Sequence, residues 1–509
     1  MPRADHPASA LAWETLLDLG DAPLPLRDRL EAAIRDAVSD GRIPAGAALP
    51  PSRTLAETLG VSRWVVTEAY GQLVAEGFLE SRVGSATRVP VGSATRVPVG
   101  SAARVPVGSP AREPAGSAGS RHPFSAPSAP RAPEAPRPLR SEFRRPMYDL
   151  GPGMPDVRHV PRARWAAAVR HALQSLPDTE FAVADRLGHP LARVAVAGYL
   201  ARSRRAVAAP ADVVITHGAT DAMTAIATGL RAAGHRSLLV EDPSWPRLRE
   251  VAAAAGLTPV PVPVDADGID VARLASAAER TGARAALITP AHQFPLGAAL
   301  AAGRRDAIVR WARAHDAVLI EDDYDAEFRY DRRPVAALQG LAPERIVLIG
   351  SLSKSMAPGF GLGWAVMAAP LRERLRLPGG ARPSTIEQAA LAAFIESGDL
   401  ERHLRAARGR FRRRRTALLA AIARELPGLP VTGIAAGMHA VLALPPGIRA
   451  TDAAAAAARL DVAVSDLTRY RVSASAGTTE SLVLGYGNLS DALVDESVAR
   501  LAAGIRSLA

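Results

Sequence analysis

The chain has 509 residues, too many for one ordinary domain and suited to two or three. Apolar residues make up 48% and charged residues 22%, the proportions of a globular protein, and no run approaches the roughly 18 apolar residues of a membrane span. The net charge is +11 and cysteine is absent, which excludes disulfides, thiolate metal sites and cysteine nucleophiles.

The N-terminus carries Asp5, Glu14 and Asp18 and lacks the basic-then-apolar pattern of a secretory signal, so a cytoplasmic protein is expected. Leu26, Leu30, Ile34 and Val38 recur every four residues, predicting an amphipathic helix over 24–41 with Gly41 as its stop. The string LPPSRTLAETLGVSRWVVTEAYGQLVAEGFLE, Leu49 to Glu80, then reads as two short helices. Ser52 caps the first, which runs to Leu59, and Gly60-Val61-Ser62 makes a tight turn. The second runs from about Arg63 to Glu76 with Val66, Ala69, Tyr70 and Leu73 inward. Two short helices joined by a three-residue turn containing Gly make a helix-turn-helix. Gly77 ends the second helix, and Phe78-Leu79-Glu80 begins a strand leading to a β-wing around Gly84.

Residues 1–90 hold 9 Arg and 12 Asp or Glu, a balance of −3, so DNA binding cannot rest on bulk charge here. It rests on the motif. Arg53 opens the first helix of the pair, Ser62 and Arg63 begin the second, and Trp64 and Thr67 share its exposed side. Helix N-termini and hydroxyls suit phosphates, and an Arg there can reach a guanine edge in the major groove. The plainer alternative is a helical hairpin with surface arginines.

VGSATRVP at 83–90 recurs at 91–98, then as VGSAARVP at 99–106 and VGSPAREP at 107–114. The first copy sits where a wing belongs, and the others read as tandem duplications. From there to about Pro146 the chain is rich in Pro, Ala, Ser and Arg and predicts an extended, disordered linker. Residues 91–148 hold 9 Arg against 3 acids, a charge of +6 that either follows DNA phosphates or merely solubilises a tether.

From Tyr148 short apolar runs at Val213–Ile215, Ser237–Val240, Ala285–Ile288, Ala317–Ile320 and Arg345–Ile349 alternate with Ala/Arg/Leu helical stretches, which predicts βαβ units and a mostly parallel sheet. Long helices after about Glu387 and strands near Ala440–Leu444 and Leu482–Leu484, taken with the segment around 148–180, predict a smaller α/β domain. The boundaries that follow are 10–90, 91–147 and 148–509.

Of 62 basic residues 61 are Arg, and Lys354 is the single lysine. Arg stays protonated and forms no Schiff base, whereas a lysine amine can condense with an aldehyde. Chance survival of one lysine is the rival reading, and its setting argues against it. Lys354 lies in GSLSKSMAPG after an apolar strand, and Ser351 and Ser353 beside it could hold a phosphate. In IEDDYDAEF, Asp322 at a strand end could pair with a protonated pyridine nitrogen, and Tyr324 could bond a ring hydroxyl. Gly218-Ala219-Thr220 offers amides at a helix start for the phosphate, and Trp245 in EDPSW offers an aromatic face for stacking. Singly, a DDYD cluster is a solvated loop or a metal candidate and a Trp is core. Four such features at strand ends, in one order and converging on the only lysine, point to pyridoxal 5′-phosphate, with no metal expected.

The N-terminal string resembles the DNA-binding domain of GntR-type regulators, through Leu49-Pro50, Ser52-Arg53, Leu55-Ala56, Leu59-Gly60-Val61-Ser62-Arg63, Ala69-Tyr70 and Leu73, with Trp64 where that family has Thr. The rest resembles fold-type I pyridoxal-phosphate enzymes, and the combination is similar to the MocR subfamily, with matches at Pro155-Asp156, Gly188, Arg193, TPxHQFPxG from Thr289, EDDYDxEF, Gln388, His403 and Arg408. The resemblance implies a winged helix-turn-helix joined to an α/β aminotransferase-like fold with a large, mostly parallel sheet and a smaller α/β domain. It makes Lys354 the lysine that forms the internal aldimine, Asp322 the ring-nitrogen partner, Tyr324 the ring-hydroxyl partner and Trp245 the stacking residue. It also implies a homodimer with double-stranded DNA and a small amine, amino acid or the cofactor itself as partners. Gly361 stands where members carry an Arg near the phosphate, so looser cofactor binding is expected. Arg469 and Arg471 are candidates for an effector carboxylate. Three functions follow in order: a ligand-responsive regulator, a working aminotransferase with an accessory DNA-binding domain, and a DNA-binding protein with a purely structural C-terminal domain.

Overall fold

A computed structural model describes residues 13–17, 19, 26–39, 42–44, 46–75, 79, 87–89, 146–182, 185–330, 335–377, 380–473 and 479–508. The repeats beyond 90, the linker as far as 145, and the wing positions Gly77, Phe78, Glu80 and Gly84 lie outside the described residues. The chain divides into two compact units, one of residues 1–70 and 78–145 and one of 71–77 and 146–509.

In the N-terminal unit the helices are Trp13–Leu16, Leu26–Ser39, Ser52–Leu59 and Arg63–Ala75. Leu30, Ile34, Leu55, Val66 and Ala69 are fully buried, so the four-residue apolar spacing marks the inward faces. Gly60, at φ +65°, turns the chain out of the third helix while its amide still bonds Ala56 O. Ser52 is not the cap: it is the first helical residue, and Pro51 takes the cap position with no side-chain bond. Proline's fixed φ suits a helix entry, and Pro51 O receives the Leu55 amide at 3.0 Å. A short antiparallel ladder, not expected from the sequence, joins 46–49 to 87–89 through an Ala48–Arg88 bridge, with Leu49 N bonded to Thr87 O at 2.8 Å.

The C-terminal unit is built on an eight-stranded sheet in the order Val213–Thr216, Gly363–Val366, Ile346–Ser351, Val318–Asp322, Ala285–Ile288, Ser237–Asp242, Thr258–Asp265 and Gly268–Ile269. Gly363–Val366 and Gly268–Ile269 run antiparallel to their neighbours, and the other pairings are parallel. Strands buried on both faces must be apolar at every position. Val318 and Ile320 pack on one side with Met223, Ile226 and Leu248, while Leu319 packs on the other with Leu274, Ile308 and Trp311. Thr258–Asp265 was not predicted, because Pro259, Pro261 and Pro263 argue against a strand. They fall at alternate positions, so the missing donors all lie on one side, and on that side only Val264 and Asp265 are paired to a further strand.

A second sheet, antiparallel, is ordered Val431–Thr432, His439–Ala443, Ser481–Gly485, Ser465–Asp466. Tyr148–Asp149 pairs with Val462–Ala463, as expected of a segment belonging to the smaller lobe. The helix Arg162–Ser175 does not stay with it. It packs against Thr385–Glu396, where the Trp165 ring meets Phe394 at 5.6 Å and Phe360 at 4.9 Å, edge to face in both cases.

Candidate functional site

Parallel strands direct their carboxyl ends to one edge of the sheet, and ligands of open α/β sheets bind beyond that edge. Thr216, Asp242, Ile288, Asp322 and Ser351 are those ends here. Lys354 follows Ser351 in the single-turn helix Leu352–Ser355. His403 Nε2 donates to Ser355 O at 2.8 Å, holding the turn that carries the amine. Lys354 Nζ donates to Gly153 O at 2.6 Å and lies 5.6 Å from the Trp245 ring centroid. Burial lowers its pKa from the usual lysine range, and the nearby Asp322 and Asp325 charges oppose that. A desolvated amine of this kind is more readily a nucleophile.

Asp322 is buried beside it. Desolvation first, and then the neighbouring Asp323 charge, push its carboxyl up to about 7, with Lys354 pulling the other way. Asp323 is held by Arg204, Nε to Oδ2 at 2.7 Å and Nη2 to Oδ1 at 2.9 Å, both side chains buried. Tyr324 OH is 3.1 Å from His292 Nδ1, and burial keeps the phenol protonated well beyond its ordinary range. Trp245, 37% exposed, is stacked at 6.2 Å on Tyr470 and meets the Phe294 edge at 5.4 Å.

The proposed phosphate residues are brought together by register. Thr216 and Ser351 both pair with Gly363, so three strands align them in one row. A Cβ on Gly363 would fall 2.6 Å from Gly218 Cα, so the backbones there touch. Gly218, at φ +103°, opens the helix Ala219–Ala232, whose first-turn amides, Ala219 and Thr220 among them, have no intrahelical acceptor. Ser353 lies in the Lys354 turn. Gly361 adopts φ +56° with open space where a side chain would begin.

Sequence reading missed several participants. Gly153, at φ +94°, supplies the lysine's acceptor, and the Gly-Pro-Gly run at 151–153 was the available signal. Glu241, raised to about 7 by burial, accepts from the Thr289 amide at 3.2 Å and from Gln293 Nε2 at 3.3 Å, tying two strand ends together. Arg247 and Arg469 line a cleft of roughly 460 Å³ together with Trp245. Arg471, the other carboxylate candidate, does not line that cleft, and its backbone carbonyl receives Arg249 Nη2 at 3.1 Å.

In the N-terminal unit, Arg53 and Arg63 border one shallow depression with Gly60 and Val61. Arg53 is exposed and pairs with Glu57 at 3.1 Å. Ser62 Oγ accepts the Val65 amide at 3.3 Å, and Trp64 is 64% exposed on the helix side it shares with Thr67.

Two family profiles match the chain: "Aminotransferase class I and II" over residues 145–501 and "Bacterial regulatory proteins, gntR family" over 26–89. The pyridoxine biosynthesis transcriptional regulator PdxR of Corynebacterium glutamicum is 31% identical over 427 residues, covering 82% of this chain and 83% of that one. The probable rhizopine catabolism regulatory protein MocR of Rhizobium meliloti is 31% identical, covering 80% and 79%. The chain is a MocR-type regulator of the GntR family. An archaeal alanine:glyoxylate aminotransferase superposes with a TM-score of 0.65 at 23% identity, covering 71% of this chain and 91% of that one, which establishes the fold of the regulator's C-terminal unit. Pyridoxal 5′-phosphate is the cofactor of that unit. The regulator's residues fit it: a lysine amine in no ion pair among the described residues, a buried carboxyl pushed up to about 7, an aromatic face, and a helix start where two glycine backbones touch. The gntR-type domain binds DNA, and among the described residues no helix is long and apolar enough to cross a membrane.

Proposed function

We propose that this transcription regulator holds pyridoxal phosphate covalently through Lys354 and reads a small amine or amino acid, or the cofactor's own abundance, as a change in DNA affinity. The observation that carries the proposal is the position of the only lysine, its amine in no ion pair among the described residues, beside Trp245 and in the field of Asp322. When bound, the cofactor supplies an electrophilic carbon and an electron sink for amines. Asp322 pairs with the ring nitrogen, a carboxyl near neutrality gaining most from a cationic partner. Trp245 stacks on the ring and Tyr324 meets its hydroxyl. Ser351, Ser353, Gly218, Ala219 and Thr220 take the phosphate.

Arg247 and Arg469 favour an effector with an acidic end. Both border the cleft, which Trp245 and Glu250 also line, and neither is in an ion pair among the described residues, whereas Arg249 in the same cleft is committed to the Ser244 and Tyr470 carbonyls. On the DNA side Arg53, Ser62, Arg63, Trp64 and Thr67 form the reading surface. A cytoplasmic homodimer would present two such surfaces to paired half-sites. Domains at 10–90 and 148–509, with 91–147 as a tether, complete the reading. An effector shifts DNA affinity only by binding two states of the protein unequally.

The test is a pair of titrations on full-length protein. Added pyridoxal phosphate should give a visible absorbance band that Lys354→Ala abolishes, and that variant should keep basal operator binding while losing every response to cofactor and amine. Rapid steady turnover of an amino acid with a keto acid, with no ligand effect on DNA binding, would favour an enzyme instead.

A further inference from the structure

Tyr324 is one member of a hydrogen-bonded chain. His292 Nδ1 lies 3.1 Å from the Tyr324 hydroxyl and 2.8 Å from Asp325 Oδ2. The His292 and Asp325 side chains are each 1% exposed. A carboxylate so enclosed is tolerated only with a donor, and here the imidazole N–H serves. The enclosure is tight: a Cβ on Gly437 would fall 2.1 Å from His292 Cε1 and 2.5 Å from Asp325 Oδ2. On the far side His439 packs at 5.0 Å, ring to ring, on His292 and donates from Nε2 to Pro295 O at 3.0 Å. Among the described residues no polar group meets His292 Nε2 or Asp325 Oδ1.

We propose that Asp325 and His292 are positioning residues: they fix the direction of the Tyr324 hydroxyl, and through it the contact to the cofactor's ring hydroxyl. This rests on the reading of Tyr324 given above. His292, Asp325 and His439 also offer metal-ligating atoms within 4.8 Å of one another. The 2.8 Å separation of Nδ1 and Oδ2 is a donor–acceptor contact, and a cation between them would break the bonds that orient Tyr324.

The experiment is a double-mutant cycle read as the Kd for pyridoxal phosphate, with Tyr324→Phe, Asp325→Asn and the two combined. Each single change should weaken binding about tenfold, the worth of one hydrogen bond, and the pair should be no more than about twofold weaker than either. Losses that multiply to about a hundredfold would mean that Asp325 acts independently of Tyr324, overturning the inference. If Tyr324→Phe leaves Kd unchanged, the underlying reading of Tyr324 fails as well. If Tyr324→Phe weakens binding and Asp325→Asn does not, the positioning role alone fails. Should Asp325→Asn not fold, His292→Gln completes the same cycle. Elemental analysis of protein purified without chelators should find no stoichiometric divalent metal, and one ion per chain that disappears in His439→Ala would overturn the proposal in favour of a metal site.

Discussion

Arg204 grips Asp323 through two parallel hydrogen bonds in a place closed to water, one residue from the carboxylate that faces the lysine. Removing one partner of such a pair strands the other charge without solvation. Arg204→Leu should therefore lower the stability of the C-terminal unit by about 3–5 kcal/mol in a denaturant titration. Arg204→Leu combined with Asp323→Leu should recover much of that loss. A loss under about 1 kcal/mol for the single change would show that water reaches the pair.

Stability of the cofactor-free protein should fall as pH rises from about 4 to about 8. Burial pushes both Asp322 and Glu241 up to about 7 from ordinary values near 4. A carboxyl whose pKa is higher folded than unfolded binds more protons in the native state, so its contribution is complete below the unfolded pKa and is lost through the folded one. Asp322→Asn should flatten that slope and stabilise the apo protein at pH 8 by roughly 2–4 kcal/mol, while weakening cofactor binding. Parallel slopes for the variant and the parent would place the titration elsewhere.

Gly361→Arg should tighten cofactor binding by about tenfold or more. A charge-assisted bond to phosphate is worth about 1.5–3 kcal/mol, while a side chain at φ +56° costs about 1 kcal/mol of folding stability in free and bound protein alike. The parent protein should bind more weakly than relatives that carry the Arg. A submicromolar Kd for the parent, or no gain in the variant, contradicts this.

Arg63→Ala should weaken specific operator binding by about 1–3 kcal/mol and relax preference at one base pair if its guanidinium reads a guanine. A uniform loss on specific and random DNA, with a reduced salt slope, would assign Arg63 to phosphate instead. Footprinting with matched competitor DNA separates these outcomes.

Much of this architecture is legible in the sequence because it is set locally. Runs such as Ala285–Ile288 and Ile346–Ile349 are apolar at each position since both faces are covered, and Lys354, Asp322 and Trp245 announce themselves by chemistry at strand ends. What escaped depends on distant neighbours. Gly153 matters because its carbonyl meets Lys354 Nζ, Asp325 because His292 packs on it from another loop, and Arg247 because Arg469 arrives in the same cleft. The proline-bearing strand was missed because proline disfavours strands in general, and only its place near the sheet margin makes it tolerable.

That same strand has a protective consequence. A bare margin of main-chain donors and acceptors is a template onto which another polypeptide can zip, which is how many sheets begin to polymerise. Pro259, Pro261 and Pro263 offer no N–H along that margin, so a passing extended chain finds carbonyls but no matching donors. The large sheet is thereby capped against growth in that direction.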